Sequence, residues 1–265
     1  MTDLATRAAF AKDLARRAGA LGQRYFRREL AFSPATKGPQ DWVSGADLAV
    51  EDLIRRELAI AFPDDAMLGE EGGISGRRNG GGALWAVDPI DGTINFVHGV
   101  RYWCVSIAFT VAGECRIGVI YDPSLDELWW AVKGQGAWRD DERIAVSACA
   151  GLDRALVAAG YVPRHPLDES LKLRAALLGA GAAVKDMGAG ALMLAHVAAG
   201  RFDAFLEPHM HPWDALAGLL LVEEAGGRVL PYPGRGGLAA GGPVIAAGPG
   251  VFDRLAALPG APRAD

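Results

Sequence analysis

Cysteine is scarce: Cys104, Cys115 and Cys149 are the only three in 265 residues. Their spacing makes no C-x-x-C pair and no zinc pattern, which excludes a disulfide scaffold and a zinc finger. An odd, sparse set reads as free thiols, small hydrophobes within strands, in a reducing cytosol. Long apolar runs are missing too, and no stretch approaches the roughly 20 residues of a membrane span. Positive charge is not in excess. Lys+Arg is 27 against Asp+Glu 32, a net charge of -5, so the balance lends nothing to a nucleic-acid partner. Glycine, by contrast, is abundant at 35 residues but has no G-X-Y period, so a collagen is excluded. With 51% hydrophobic and 22% charged residues the chain has ordinary globular usage, which excludes a disordered one.

Residues 4–26 place Leu4, Ala8, Ala11, Leu14, Ala15, Ala18, Leu21, Tyr25 and Phe26 at helical spacing. Arginines and Lys12 interrupt them, which breaks the apolar stretch of a secretory signal. Asp3 and Asp13 argue against a transit peptide, leaving a first amphipathic helix of the fold. The expectation is a soluble, cytoplasmic protein with no membrane partner. A second helix is predicted over 47–62, with Leu48, Val50, Leu53, Ile54, Leu58 and Ile60 as its apolar positions and Pro63 as its stop. A glycine-rich loop follows at 72–82.

The middle of the chain is strand-rich. Strands are predicted at 83–87, 104–111, 116–121, 127–132, 137–139 and 144–146, with residues 112–114 turning a hairpin. After Ser147 the grain changes. Short strands at 156–159, 183–186, 204–206, 228–230 and 244–247 alternate with helices at 167–178, 191–199 and 213–225. That is an α/β pattern following an α+β one. One domain over 1–265 is expected, with subdomains of about 1–147 and 148–265.

Four segments carry chemistry. In Trp85-Ala86-Val87-Asp88-Pro89-Ile90-Asp91-Gly92-Thr93, a buried strand runs into two carboxylates on one turn, where their oxygens can converge on a hard cation. Gly92 and Thr93 can open a helix whose free amides suit phosphate. A haloacid-dehalogenase-type phosphatase needs its two aspartates two apart, and these are three apart. An EF-hand needs a twelfth-position Glu, and that position here is Gly99. An Asx-turn with a satisfied Asp stays open as the plain reading. Gly69-Glu70-Glu71-Gly72 reads by itself as a surface acidic pair. Asp214, in His211-Pro212-Trp213-Asp214, reads by itself as a helix N-cap or first-turn acid, and Gly226-Gly227 as a C-cap pair. Lys37 reads as a solvated charge and Asp47 as the N-cap of the second helix.

Taken together and in this order, the Glu-Glu pair, Asp-Pro-Ile-Asp-Gly-Thr and the distant Trp-Asp resemble the inositol monophosphatase family, within the Mg²⁺-dependent, lithium-sensitive phosphatases. The resemblance runs from Lys37 to Gly227. It implies an α/β fold layered α-β-α-β-α, like fructose-1,6-bisphosphatase, and two or three Mg²⁺ ions per site. Glu70, Asp88 and the Ile90 carbonyl would hold the first ion. Asp88, Asp91 and Asp214 would hold the second, and a third would share Glu70. Glu71 would bind through water or from behind.

The same resemblance has Thr93, paired with Asp47, orient the attacking water, and the amides of Gly92 and Thr93 hold the phosphate. Glu207 would meet a substrate hydroxyl and Gly188-Ala189-Gly190 would line the alcohol pocket, with Asp214 at its edge. Here that segment departs from the family's Gly-Ser/Thr-Ala and loses a hydroxyl. His98-Gly99 stands where a basic residue often follows the His. The implied activity is a phosphoric monoester hydrolase acting on inositol monophosphate by direct in-line attack of metal-activated water. Histidinol phosphate is the alternative substrate, and a fold-keeping regulatory protein the alternative class. A homodimer is implied by resemblance alone.

Overall fold

The apolar spacing at the start of the chain becomes a 23-residue helix, α1 (Leu4–Phe26), which buries Ala8, Ala11, Leu14, Ala15 and Ala18 on one face. The computed structural model describes residues 4–31, 33–38, 41–76, 82–162, 165–234, 237–238 and 240–263, and the backbone alone at 34–38 and 41–43. A two-stranded ribbon, β1 (Pro34–Gly38) and β2 (Asp41–Ser44), leads into α2 (Gly45–Ala61). The helix starts two residues before the expected position because Ser44, not Asp47, is its N-cap. Asp47 sits at the third helical position, where its carboxylate closes a capping box by accepting the Ser44 amide at 2.8 Å. Val50, Ile54 and Leu58 form the buried stripe, whereas Leu48 and Ile60 face solvent.

The strands β3 (Ala66–Gly69), β4 (Gly73–Ser75), β5 (Leu84–Asp91), β6 (Cys104–Val111), β7 (Glu114–Asp122), β8 (Glu127–Val132), β9 (Ala137–Arg139) and β10 (Glu142–Ile144) make one sheet. Its order is β10-β9-β8-β7-β6-β5-β3-β4, antiparallel except for the β3–β5 pair. Residues 77–81 of the expected glycine loop lie outside the described residues, and its start forms β4. The β6–β7 turn shrinks to Ala112-Gly113. The strand expected at 144–146 lies earlier, at β10, because Glu142 to Ile144 pair with β9. A one-turn helix, α3 (Thr93–His98), follows β5.

The second half contains β11 (Leu156–Ala159), α4 (Leu167–Gly179), β12 (Ala183–Lys185), α5 (Gly190–Ala198), β13 (Ala204–Met210), α6 (Pro212–Glu224), β14 (Arg228–Val229), β15 (Gly242–Ala247) and α7 (Pro249–Ala256). Its sheet runs β12-β11-β13-β15-β14. The elements stack as α-β-α-β-α, the expected α/β class. α1 and α2 cover the outer face of the large sheet around Trp85, Trp103 and Ile107. α5 and α6 fill the space between the sheets around Leu192, Leu194 and Leu220. α4 and α7 cover the small sheet, where Leu177, Val251 and Leu255 are buried. Cys104 lies buried in β6 and Cys115 half-buried in β7, but half-buried Cys149 sits in a loop rather than a strand; all three are free. Among the described residues no helix is long and apolar enough to cross a membrane.

Candidate functional site

β3 ends alongside its parallel neighbour β5, four residues before β5 itself ends at Asp91, with Gly69 opposite Val87. The next residues are Glu70 and Asp88. The N-termini of α2, α3, α5 and α6 close in on these strand ends, bringing Asp47, Thr93, Gly190 and Asp214. Positive ends of helix dipoles around carboxylates offset part of their mutual repulsion.

β5 is buried along its whole length. Its pairing with β6 slips between Asp88, opposite Ser106, and Asp91, opposite Cys104. Three steps on β5 match two on β6, so one extra residue bulges out of the ladder. Pro89, with no amide hydrogen, is tolerated at such a place. The bulge lets Asp88 and Asp91 reach the same site. Asp88 Oδ1 also accepts the Ile90 amide at 2.9 Å.

Asp91 faces α5. Its Oδ2 accepts the Ala191 amide at 2.8 Å and the Leu192 amide at 3.2 Å, and Oδ1 accepts the Gly190 amide at 3.1 Å. Asp214 arrives from the first turn of α6, its Oδ2 accepting the His211 amide at 3.3 Å. The Ser106 hydroxyl ties that turn to β6 by donating to the Trp213 carbonyl at 2.8 Å. Asp88, Asp91 and Asp214 each place a carboxylate oxygen within 4.8 Å of the others.

Burial pushes Asp91 up to about 6 and, helped by Asp91 opposite it, Asp214 up to about 7. Asp88 rises well above its ordinary value through burial and then through Glu70, Asp214 and Asp91. The groups acting on Asp88 are thus all negative. A hard, all-oxygen donor set crowded with like charge fits Mg²⁺, which takes carboxylates and keeps waters. Glu70, Asp88, Asp91, Asp214 and the Ile90 carbonyl are the residues available to hold it.

The Thr93 hydroxyl lies 3.2 Å from Asp47 Oδ1 and 3.2 Å from the Ile90 carbonyl. Asp47 is fully buried, and that burial lifts it to about 6 against the opposing hydrogen bonds from Ser44. Gly92 takes a left-handed φ of 94°, which favours glycine, and a Cβ there would also come within 3.0 Å of the Ala189 Cβ. The start of α3 is thereby pressed against residues 188–189. Ala189 itself is 1% exposed, so it presents almost no surface to a ligand, against its expected place in the lining of the alcohol pocket. The Asn95 side-chain amide donates to the Met187 and Tyr102 carbonyls at 2.7 and 2.8 Å and fixes the approach of that segment.

Glu207 is half-buried beside Gly160 and Gly190. Burial, followed by the charges of Asp214, Asp91 and Asp186, holds its carboxyl well above the usual range. The side chain of Lys37 lies outside the described part of the structure. Glu51 was not singled out from the sequence, although its carboxylate accepts the Glu71 amide at 2.8 Å. Its position one turn beyond Asp47, on the polar face of α2, was the available signal.

The family model of the inositol monophosphatase family matches residues 3–258. A Nus factor SuhB of Pseudomonas aeruginosa is 39% identical over 246 residues, covering 91% of each chain. An inositol-1-monophosphatase of Rhizobium meliloti is 43% identical over 194 residues, covering 72% of each. Among solved structures, the extragenic suppressor protein suhB of Bartonella henselae matches with a TM-score of 0.87 at 34% identity, over 96% of this chain and 97% of that one. An IMPase of Thermotoga maritima matches with a TM-score of 0.83 at 32% identity, over 94% and 95%.

Proposed function

The chain belongs to the inositol monophosphatase family, and from that premise we propose that it hydrolyses inositol monophosphate, and related phosphate monoesters, with Mg²⁺. The observation that supports this most is the convergence of Asp88, Asp91 and Asp214 beside the Thr93–Asp47 pair.

Mg²⁺ when bound supplies charge neutralisation for the phosphate and the leaving oxygen, and lowers the pKa of coordinated water. The remaining work falls to side chains. The Thr93 hydroxyl donates to Asp47 and so turns a lone pair outward to accept a proton from the attacking water. Water oxygen bonds to phosphorus in line as the phosphorus–alcohol bond breaks. The water proton passes to Thr93 Oγ1 while the Thr93 proton moves to Asp47, whose raised pKa suits it as acceptor. The alkoxide takes its proton from solvent. Gly92 and Thr93 amides hold the phosphate, and Glu207 accepts from an alcohol hydroxyl. No Ser or Cys nucleophile is needed.

Histidinol phosphate stays the alternative substrate, because a carboxylate at Glu207 pairs with an ammonium as readily as it accepts from a hydroxyl. The Pseudomonas relative is named as a Nus factor; what supports hydrolysis for this chain is the convergence of Asp88, Asp91 and Asp214 and the contact of Thr93 with Asp47. A homodimer, lithium inhibition and a cytoplasmic location belong to the same proposal, as does the absence of a nucleic-acid partner. The test is phosphate release from a panel of monoesters with Mg²⁺ and with chelator. Mg²⁺-dependent release, fastest from inositol-1-phosphate, is expected. No release from any monoester would overturn the proposal.

A further inference from the structure

We infer that Glu51 and Arg55, one and two turns after Asp47 on α2, are positioning residues that set the metal affinity of the acidic turn carrying Glu70 and Glu71. The inference rests on the reading of the site as a Mg²⁺ phosphatase.

Glu51 is 3% exposed. Its Oε2 accepts the Glu71 amide at 2.8 Å, and its Oε1 accepts the Gly72 amide at 2.8 Å and an Arg55 guanidinium N–H at 2.6 Å. Arg55 reaches on to the Gly73 carbonyl at 3.2 Å and to the Ser75 hydroxyl. The buried carboxylate is thus committed to the backbone of the turn and to one cation. The turn also lies flat upon it. A Cβ at Gly69 would come within 2.4 Å of Glu51 Oε2, and a Cβ at Gly72 within 2.6 Å of Oε1. Glu70, between those glycines, faces Asp88, and Glu71 faces Asp47, each closely enough to raise that carboxyl.

The physical need is plain. Glu70 and Glu71 repel Asp88 and Asp47, and an untethered turn would swing them outward in the metal-free protein. Two charge-assisted hydrogen bonds to successive amides, with Arg55 balancing the buried charge, hold the turn in place before a cation arrives. Fixing ligands from behind raises affinity by cutting the ordering cost of binding.

The test uses the full chain stripped of metal and carrying Glu51→Gln, which keeps the shape but turns an NH₂ against an amide or guanidinium donor. Mn²⁺ binding is measured without substrate by the loss of the free-ion spin-resonance signal, and the Mg²⁺ half-saturation and the substrate KM are measured beside it. Mn²⁺ affinity and Mg²⁺ half-saturation should weaken roughly tenfold or more, in the range of lost outer partners. KM at saturating Mg²⁺ should stay within about twofold, since no substrate contact is removed. Gly72→Ala, which pushes the turn off Glu51, should reproduce the loss, and Arg55→Gln should weaken binding in the same direction.

If Glu51→Gln does not fold, Arg55→Gln decides. Folded variants that bind Mn²⁺ as wild type does overturn the inference while leaving the phosphatase reading standing. A wild type that neither binds Mn²⁺ nor releases phosphate overturns both.

Discussion

The Asp91 carboxylate caps helix α5 from a hundred residues away in sequence, its Oδ2 accepting the Ala191 amide at 2.8 Å. The same side chain converges with Asp88 and Asp214. One carboxylate therefore serves the acidic site and also joins the large sheet to the helices behind it. Asp88 caps no helix; the amide it accepts is that of its own near neighbour Ile90.

That contrast predicts different outcomes at the two positions. Asp88→Asn keeps an oxygen for the Ile90 amide and removes one buried negative charge, so the melting temperature should not fall while Mg²⁺-dependent kcat drops at least about a hundredfold. Asp91→Ala should lose the activity and also roughly 1–2 kcal/mol of stability, the cost of an uncapped buried helix start. Thermal melts beside phosphate-release assays separate the two. Equal melting losses in both variants would contradict the assignment.

A second prediction concerns pH in the absence of metal. Asp47 and Asp91 titrate at about 6 and Asp214 at about 7 in the folded chain, against an ordinary 3.8. Between those limits the folded state holds protons that the unfolded chain has released, so the contribution of these groups to stability is full below the ordinary value and falls as pH rises through 4 to 7. His196 opposes them: burial and Arg201 lower it to about 4, so its contribution is full above 6.5 and falls as pH drops. Asp214→Asn removes one acid from the sum. In chelator, its melting temperature should match wild type below about pH 4, pull ahead as pH rises through 7, and exceed it by several degrees near pH 8. Excess Mg²⁺ should reverse that order.

Thr93 carries a third. Thr93→Ala removes the hydroxyl between water and Asp47, so kcat should fall on the order of a hundredfold while KM changes little. Thr93→Ser should recover most of the rate. With isotopic water the released phosphate should carry the label and no phosphoenzyme should be trapped. A covalent aspartyl phosphate would contradict the direct attack.

The fourth addresses substrate choice. Glu207→Gln should lower kcat/KM for both inositol-1-phosphate and histidinol phosphate, more for the cationic one. A Cβ at Gly160 would sit 1.9 Å from Glu207 Oε2, the movable end of that side chain. Gly160→Ala should therefore displace the carboxylate without unfolding the chain and reproduce the loss. A preference for histidinol phosphate above about tenfold, near 1.4 kcal/mol, would make it the substrate. No effect of either variant would make Glu207 structural.

Much of the fold was legible because period and punctuation agreed. α1 matched its apolar spacing, and β6 and β8 matched their β-rich runs. Asp47 was misread because an acid before a helical stripe looks like a cap. The Ser44-Gly45-Ala46-Asp47 spacing was the better signal, since a capping box pairs its first and fourth residues. Glu51 was hidden for another reason. Spacing assigns it to the helix's polar face, yet that face is covered by a turn that only tertiary structure delivers. The acidic cluster was legible in order along the chain, but the meeting of Asp214 with Asp88 depends on α6 crossing β6, which no local pattern encodes.

The irregular step in β5 fixes a parity. Along an unbroken strand, side chains an odd number of positions apart point to opposite faces, and Asp88 and Asp91 are three apart. The single unmatched residue between them shifts the count by one against β6, and the two carboxylates fall in phase. Deleting either Pro89 or Ile90 would give a tidier ladder at no obvious cost to the sheet. With one residue gone, Asp88 and Asp91 would stand two apart, still on one face and still opposite Ser106 and Cys104, but the extra length of backbone that brings the Ile90 amide to Asp88 Oδ1 and the Ile90 carbonyl to the Thr93 hydroxyl would be lost. The spacing of this motif is therefore arithmetic before it is chemistry: one unmatched residue lets a three-residue step keep both carboxylates on one face while the backbone between them bows into the site.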